Sequence, residues 1–90
     1  MKALLLTLAL QTQADIVVVP KPVECTATKK LLPAIVASDY KEIPVWFGQE
    51  PDSGSNYTLF SNATTKTWTL IQFDQNVACV VGSGTQSTLK

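Results

Sequence analysis

Two carboxylates flank a single proline in this chain, with Glu50 on one side of Pro51 and Asp52 on the other. A pair of carboxylates carries out glycoside hydrolysis, one as general acid and the other as base or nucleophile. Neighbouring acids in a loop are more often simply solvated, and a domain this small leaves little room for a glycan cleft. The pair is therefore a weak catalytic signal, and we expect the chain not to be an enzyme.

The residue types that are missing exclude more. The 90 residues include no histidine, which removes the usual general base near neutral pH and the commonest metal ligand. All seven basic residues are lysines, so the guanidinium fork that recognises phosphate is also absent. Seven acids bring the net charge to zero, and nucleic acid binding is disfavoured. We expect no cofactor, no metal ion and no nucleic acid partner.

Aromatic residues on predicted strands could form a binding surface for a glycan or a peptide, although such residues are more often core or cross-strand pairs. The six are Trp46, Phe47, Tyr57, Phe60, Trp68 and Phe73. As a candidate partner surface we select Trp46, Tyr57 and Trp68 together with Glu50 and Asp52.

Only two cysteines are present, Cys25 and Cys79. Two buried free thiols, a redox pair and a metal site are alternatives, but the wide spacing and the absence of a CxxC pattern are poor signatures for a redox or zinc site. In an exported chain the pattern favours one disulfide. Such a bridge closes a loop of about 55 residues, which is worth roughly 4 kcal/mol in the chain-entropy model.

The N-terminal residues have the pattern of a signal peptide. Lys2 precedes an apolar run over residues 3–10, and polar residues then lead to Ala14. The run is about half the roughly 20 residues that a membrane span needs. An amphipathic first helix is the alternative, but the leucines surround the helix instead of lining one face. We predict cleavage after Ala14, a secreted or periplasmic mature chain, and membrane contact only during export.

The elements that would position these residues predict an α+β fold. We expect residues 1–14 to be the signal peptide, 15–24 an extended arm, 25–84 the folded domain and 85–90 a flexible tail. Thr26 or Thr28 could cap one helix that runs to about Ser38, with Pro33 either inside it or in its first turn. An edge strand over residues 16–19 is a further expectation.

Three or four antiparallel strands would form a meander against this helix. The predicted strands are residues 43–48, 56–61, 65–73 and 77–81, with a loop over 49–55 and a fraying end from residue 82. Alternation predicts that Val77, Cys79 and Val81 face the helix. Both faces of the sheet carry apolar residues, so we expect the arm or a partner to cover the second face.

A resemblance follows from the Thr-Trp-Thr stretch at residues 67–69 and the Ala-Cys-Val stretch at residues 78–80, which leads to Gly84. With the preceding signal peptide, cysteine and helix, the chain resembles a group of small exported proteins of proteobacteria and marine bacteriophages, of uncharacterised function. The resemblance covers roughly residues 25–84 and implies export, the disulfide and the fold. It implies no activity and no site residues.

Three functions remain to be separated. The first is a non-enzymatic exported domain that binds a protein or glycan of the cell envelope, or serves there as a structural part. The second is an exported inhibitor of an envelope enzyme such as a lysozyme or a protease, acting through the loop over residues 49–55. The third, a small hydrolase that uses Glu50 or Asp52, is disfavoured by the missing histidine and arginine.

Overall fold

The computed structural model describes residues 15–89, which form one helix and a five-stranded antiparallel sheet. The strands are β1 (Glu24–Ala27), β2 (Ile43–Glu50), β3 (Ser55–Ser61), β4 (Trp68–Phe73) and β5 (Val77–Gly84), and the helix α1 spans Thr28–Ala37. The strand order is β1-β5-β4-β3-β2. The α+β prediction is confirmed, with five strands instead of three or four. The predicted signal peptide lies outside the described residues.

The helix begins at Thr28, before Pro33, and contains this proline in its interior. Of the two predicted arrangements, the structure has the one with Pro33 inside the helix. Neither threonine caps it. Thr26 lies in β1, and the side chain of Thr28 donates a hydrogen bond to the carbonyl oxygen of Asp74 (2.8 Å). The predicted cap is wrong because Thr28 ties the start of α1 to the β4–β5 turn. Within residues 15–89 no helix is long and apolar enough to span a membrane.

The core is small and lies between α1 and the middle of the sheet. Its fully buried members are Phe60, Ile71 and Ala78, from three adjacent strands. Partly buried side chains pack around them, three of them from one side of the helix: Leu31, Leu32 and Ile35. These three residues therefore mark the side of α1 that faces the sheet.

The predicted disulfide is present and joins two strands that are neighbours in the sheet. Cys25 on β1 lies directly opposite Cys79 on β5. Cys79 follows Ala78, which is buried under α1, and successive residues of a strand point to opposite faces. The bridge therefore lies on the face away from the helix. The prediction that Val77, Cys79 and Val81 face the helix is wrong, because Ala78 occupies that side.

The N-terminal arm forms no strand over residues 16–19, so that expectation is wrong. Its side chains are exposed, with Val18 at 91%. The ammonium group of Lys21 holds the arm to β5 by donating to the carbonyl oxygen of Val81 (2.7 Å). Because its apolar side chains point into solvent, the arm does not cover the second face of the sheet.

The last strand continues beyond the predicted end. Register shifts at Val81, which is an extra residue opposite β4, and β5 then runs on to Gly84. The expectation of fraying from residue 82 is therefore wrong for residues 82–84. Further on, the amide of Ser87 donates to the carbonyl oxygen of Lys66 (3.0 Å), which ties the tail to the β3–β4 turn.

Candidate binding surface

The sheet has an open face on the side away from α1. Trp46, Leu59 and Leu70 lie opposite one another on adjacent strands. Tyr57 and Trp68 are each two residues from a member of this row and so point the same way. We call these five residues the open face. Three aromatic residues selected from the sequence, on three different strands, are therefore brought to one surface.

Trp46 is the most accessible of the three, with 53% of the residue exposed. Its indole ring lies over Gly48, two residues further along β2. A Cβ atom on Gly48 would come within 2.5 Å of the indole carbon Cη2. The missing side chain at this position is what allows the ring to lie along the strand.

Trp68 is held in place by the last strand. Its ring covers Gly82 and Gly84, where an added Cβ atom would lie 3.2–3.4 Å from ring atoms. The indole N–H donates to the carbonyl oxygen of Thr85 (3.3 Å). Trp68 therefore packs on its own sheet, and it contributes less free aromatic surface than Trp46.

Tyr57 and Glu50 form a polar contact near the β2–β3 turn. The Tyr57 hydroxyl donates to Glu50 Oε1 (3.3 Å). Partial burial raises the pKa of Tyr57 above its usual value, and the charge and hydrogen bond of Glu50 raise it further. The same carboxylate oxygen accepts from Ser53 Oγ (2.7 Å). Glu50 thus serves as an acceptor that organises the hairpin.

The prediction of a loop over residues 49–55 is wrong at both ends, because residues 49 and 50 belong to β2 and residue 55 belongs to β3. The tip of this hairpin is a short, ordered turn over residues 51–54. Gly54 has a positive φ of 74°, which favours glycine, and its amide donates to the carbonyl oxygen of Glu50 (3.0 Å). Ser53 Oγ also accepts from the amide of Ser55 (3.2 Å). Asp52 is exposed at the tip. The two predicted site acids therefore lie at the end of a hairpin, with Glu50 engaged in its structure.

β2 is the last strand in the order of the sheet and is therefore an edge strand. Several of its apolar side chains are exposed. We call this set the β2 edge surface: Ile43, Val45, Trp46 and Phe47, exposed by 60%, 39%, 53% and 60% respectively. Phe47 lies opposite Thr58, on the helix side of the sheet, and its ring centroid is 6.4 Å from that of Phe73. The helix packs mainly over β1 and β5 and leaves Phe47 uncovered.

A second site, missed by the sequence reasoning, lies where β2 begins. Glu42 is only 4% exposed, and its Oε1 accepts a hydrogen bond from Thr69 Oγ1 (2.7 Å). It lines a cavity of about 230 Å³, which we call the Glu42 pocket, bordered by Tyr40, Glu42, Thr67, Trp68, Thr69, Ser83 and Gly84. No pattern in the sequence indicates this site, because a single acid before a strand looks like any solvated one.

Within residues 15–89 no cluster of three or more acidic, cysteine or histidine side chains could hold a metal ion. Comparisons with protein-family models, with curated proteins and with solved structures find no match for this chain.

Proposed function

We propose that this chain is a small exported domain with a binding or structural role at the cell envelope, and that it is not an enzyme. The observation that carries the proposal is the β2 edge surface. Edge strands of soluble proteins are usually protected by charged side chains, by proline or by a covering element. Here Pro44 and the irregularity beside it interrupt only the start of β2, and the residues that follow are exposed and apolar.

An edge of this kind suits a partner that adds an extended segment. The free side of β2 offers backbone hydrogen bonds, and side chains on both faces of the strand offer apolar contact, which is the mode of β-strand addition. Trp46 is on the open face and Phe47 is on the helix side. A segment paired with β2 would thus meet an aromatic residue on each face of the sheet. We propose an envelope protein as the source of that segment.

The location at the envelope has three supports. The Cys25–Cys79 disulfide is compatible with an oxidising compartment outside the cytosol. The N-terminal residues have the composition of a signal peptide. The resemblance to small exported proteins of proteobacteria and marine bacteriophages points the same way. We therefore propose a secreted or periplasmic protein of that group.

The test changes the β2 edge without changing the core. Phe47→Lys places a charge on the exposed edge, and Val36→Lys is the matched control, because Val36 is also exposed (54%) but lies on the helix. A photoreactive side chain at position 46 should cross-link one envelope protein in living cells. We expect Phe47→Lys to abolish that adduct while Val36→Lys preserves it. An equal yield from both variants, with both folded, would refute the β2 edge as the contact.

The ordered hairpin tip favours a second candidate, an inhibitor of an envelope lysozyme or protease. A turn held by Ser53 and Gly54 is preorganised, which reduces the entropy lost on binding. Replacing residues 51–54 with Asn-Gly should then remove inhibition while the circular dichroism spectrum is retained. If inhibition is seen and is lost in Phe47→Lys instead, the edge and not the tip makes the contact.

A further inference from the structure

Glu42 is the one charged residue that is buried among residues 15–89. Removing a carboxylate from water is costly unless hydrogen bonds or an opposite charge compensate for it. The described side chains give it one hydrogen-bond donor, the hydroxyl of Thr69, at Oε1. A neutral hydroxyl does not cancel the charge. A cation bound beside Glu42 would supply the opposite charge.

The backbone just before Glu42 is held in a defined conformation. Lys41, just before it, has a positive φ of 53°, a conformation that is unfavourable for residues other than glycine and persists where the surrounding structure holds it. The side-chain amide of Asn62 donates to the carbonyl oxygen of Tyr40 (2.9 Å), and the amide of Lys41 donates to Ser38 (3.1 Å). These contacts fix the segment against the β3–β4 turn, so the pocket is preformed.

We infer that the Glu42 pocket binds a primary ammonium group, from a small alkylamine or from a lysine side chain of a partner protein. An ammonium group has three donors and needs several acceptors around one charge. The pocket offers the carboxylate of Glu42 together with hydroxyl-bearing residues, which are Tyr40, Thr67, Thr69 and Ser83. The charge and the acceptors thus match the ligand.

Size and chemistry disfavour the other cations and larger ligands. A guanidinium group prefers two parallel hydrogen bonds, one to each oxygen of a carboxylate, and the Thr69 hydroxyl already occupies one acceptor position on Oε1 of Glu42. Calcium requires six to eight oxygen ligands, usually from several carboxylates. Pockets for drug-sized ligands measure about 300–1,000 Å³, and this one holds about 230 Å³. The space fits one side-chain-sized group.

The experiment is a titration of the purified, disulfide-bonded protein with n-propylammonium chloride at constant ionic strength. Backbone amide signals of Thr69, Ser83 and Gly84 are followed by NMR. We expect these signals to shift and saturate in the millimolar range, because a ligand so small can make few contacts. n-Propanol, which has the same shape without the charge, should give no saturable shift. Saturation by n-propanol or by guanidinium at equal or lower concentration would overturn the inference, and so would no saturation by n-propylammonium.

Glu42→Gln tests the carboxylate itself, since the amide keeps the shape and the acceptor for Thr69. We expect binding about tenfold weaker, or lost, from the removal of one charge-assisted hydrogen bond. Glu24→Gln makes the same change at an exposed position of β1, outside the pocket, and should leave binding unchanged. Equal binding by Glu42→Gln and the native protein would overturn the inference. A circular dichroism spectrum of each variant confirms that it is folded.

A second ligand distinguishes the two sources of the ammonium group. Nα-acetyl-lysine amide carries the backbone on both sides of a lysine, as a partner protein would. Tighter binding of this compound than of n-propylammonium assigns a partner lysine, and the reverse order assigns a small amine. The titration is independent of Phe47, which does not line the pocket. If the pocket does not bind an ammonium group, the proposed function is unaffected. If the β2 edge does not bind a partner, the ammonium inference is likewise unaffected.

Discussion

At the scale of single residues, glycines decide where the two indole rings lie. Trp46 can fold onto β2 because position 48 has no side chain, and Trp68 can cover β5 because positions 82 and 84 have none. The two rings differ in what else holds them, since the indole N–H of Trp68 is bound to Thr85 and Trp46 is half exposed. One tryptophan is thus part of the sheet, and the other is a surface group.

The first prediction concerns Gly48→Ala. The new Cβ atom would lie 2.5 Å from the Trp46 ring, so the ring must swing away. Because the ring is exposed, the free energy of unfolding should change by less than about 1 kcal/mol, while the NMR signal of the Trp46 indole N–H moves. Chemical denaturation measures the first quantity. A loss of more than about 2 kcal/mol would show that the ring is fixed by packing, as expected for core overpacking.

The second prediction concerns Asp74 in the β4–β5 turn. Its carboxylate accepts hydrogen bonds from the amides of Val77 (2.8 Å) and Asn76 (2.7 Å), and these bonds lower the pKa of Asp74 below its usual value. A carboxyl whose folded pKa is lowered stabilises the fold above its unfolded pKa, about 3.9, and this contribution disappears as pH falls through the folded pKa.

The Asp74→Asn variant keeps the acceptor oxygen and loses the titration. Its free energy of unfolding should lie below that of the native protein at neutral pH, and the two should converge as pH falls below about 4. Denaturation at a series of pH values measures the difference. Parallel curves down to low pH would contradict the assigned role of the carboxylate.

At the scale of elements, β1 depends on the disulfide more than any other strand does. It has 4 residues and lies at the edge of the sheet, paired with β5 alone. The bridge joins residues 54 apart in sequence. Restricting a loop of that length in the unfolded chain contributes about 4 kcal/mol to the free energy of unfolding. This is a large share of the total, which is about 5–15 kcal/mol for a typical domain.

The third prediction follows for the double variant Cys25→Ala with Cys79→Ala. We expect a loss of about 4 kcal/mol in the free energy of unfolding, and faster hydrogen exchange in β1 and the first turn of α1. Leu32 and Ile35 pack against the core, so the later turns of α1 should be less affected. A loss below about 1 kcal/mol would contradict the chain-entropy account, in which a loop of this length contributes several times more.

The elements themselves were largely readable from the sequence, because hydrophobic periodicity and turn residues are local signals. The single helix and the strands β2 to β5 were predicted near their observed positions. β1 was missed because a strand as short as Glu24–Ala27 exists only through its pairing with β5. The face of β5 was assigned wrongly because Val77 and Val81 look more apolar than Ala78, while burial depends on the position of α1.

The candidate site was also only partly predictable from the sequence. The exposure of Trp46 and Phe47 follows from the edge position of β2, and strand order across a sheet is not a local property. Residues distant in sequence surround Glu42, and Thr69 and Ser83 are two of them. No sequence pattern next to Glu42 could therefore reveal that its side chain is buried. Residue types and spacings indicated the strands, and the tertiary arrangement decided which side chains remained accessible.

At the scale of the whole molecule, the helix layer is too short for the sheet. The buried residues Phe60, Ile71 and Ala78 lie under α1, while β2 extends beyond it with Phe47 uncovered. Sheets are stable when each apolar face packs against another layer. The open face and the β2 edge surface therefore both lack a covering element within residues 15–89. A partner at the envelope would supply the missing layer on the β2 side.

The fourth prediction tests the location on which that argument depends. Intact mass should be measured in separated cell fractions, with thiol alkylation before and after reduction. We expect a chain that begins at Asp15, found in the periplasm or the medium, whose Cys25 and Cys79 are alkylated only after reduction, because an oxidising compartment preserves the bridge. A full-length cytosolic chain with both thiols alkylated directly would contradict export and would remove the envelope partner from the proposal.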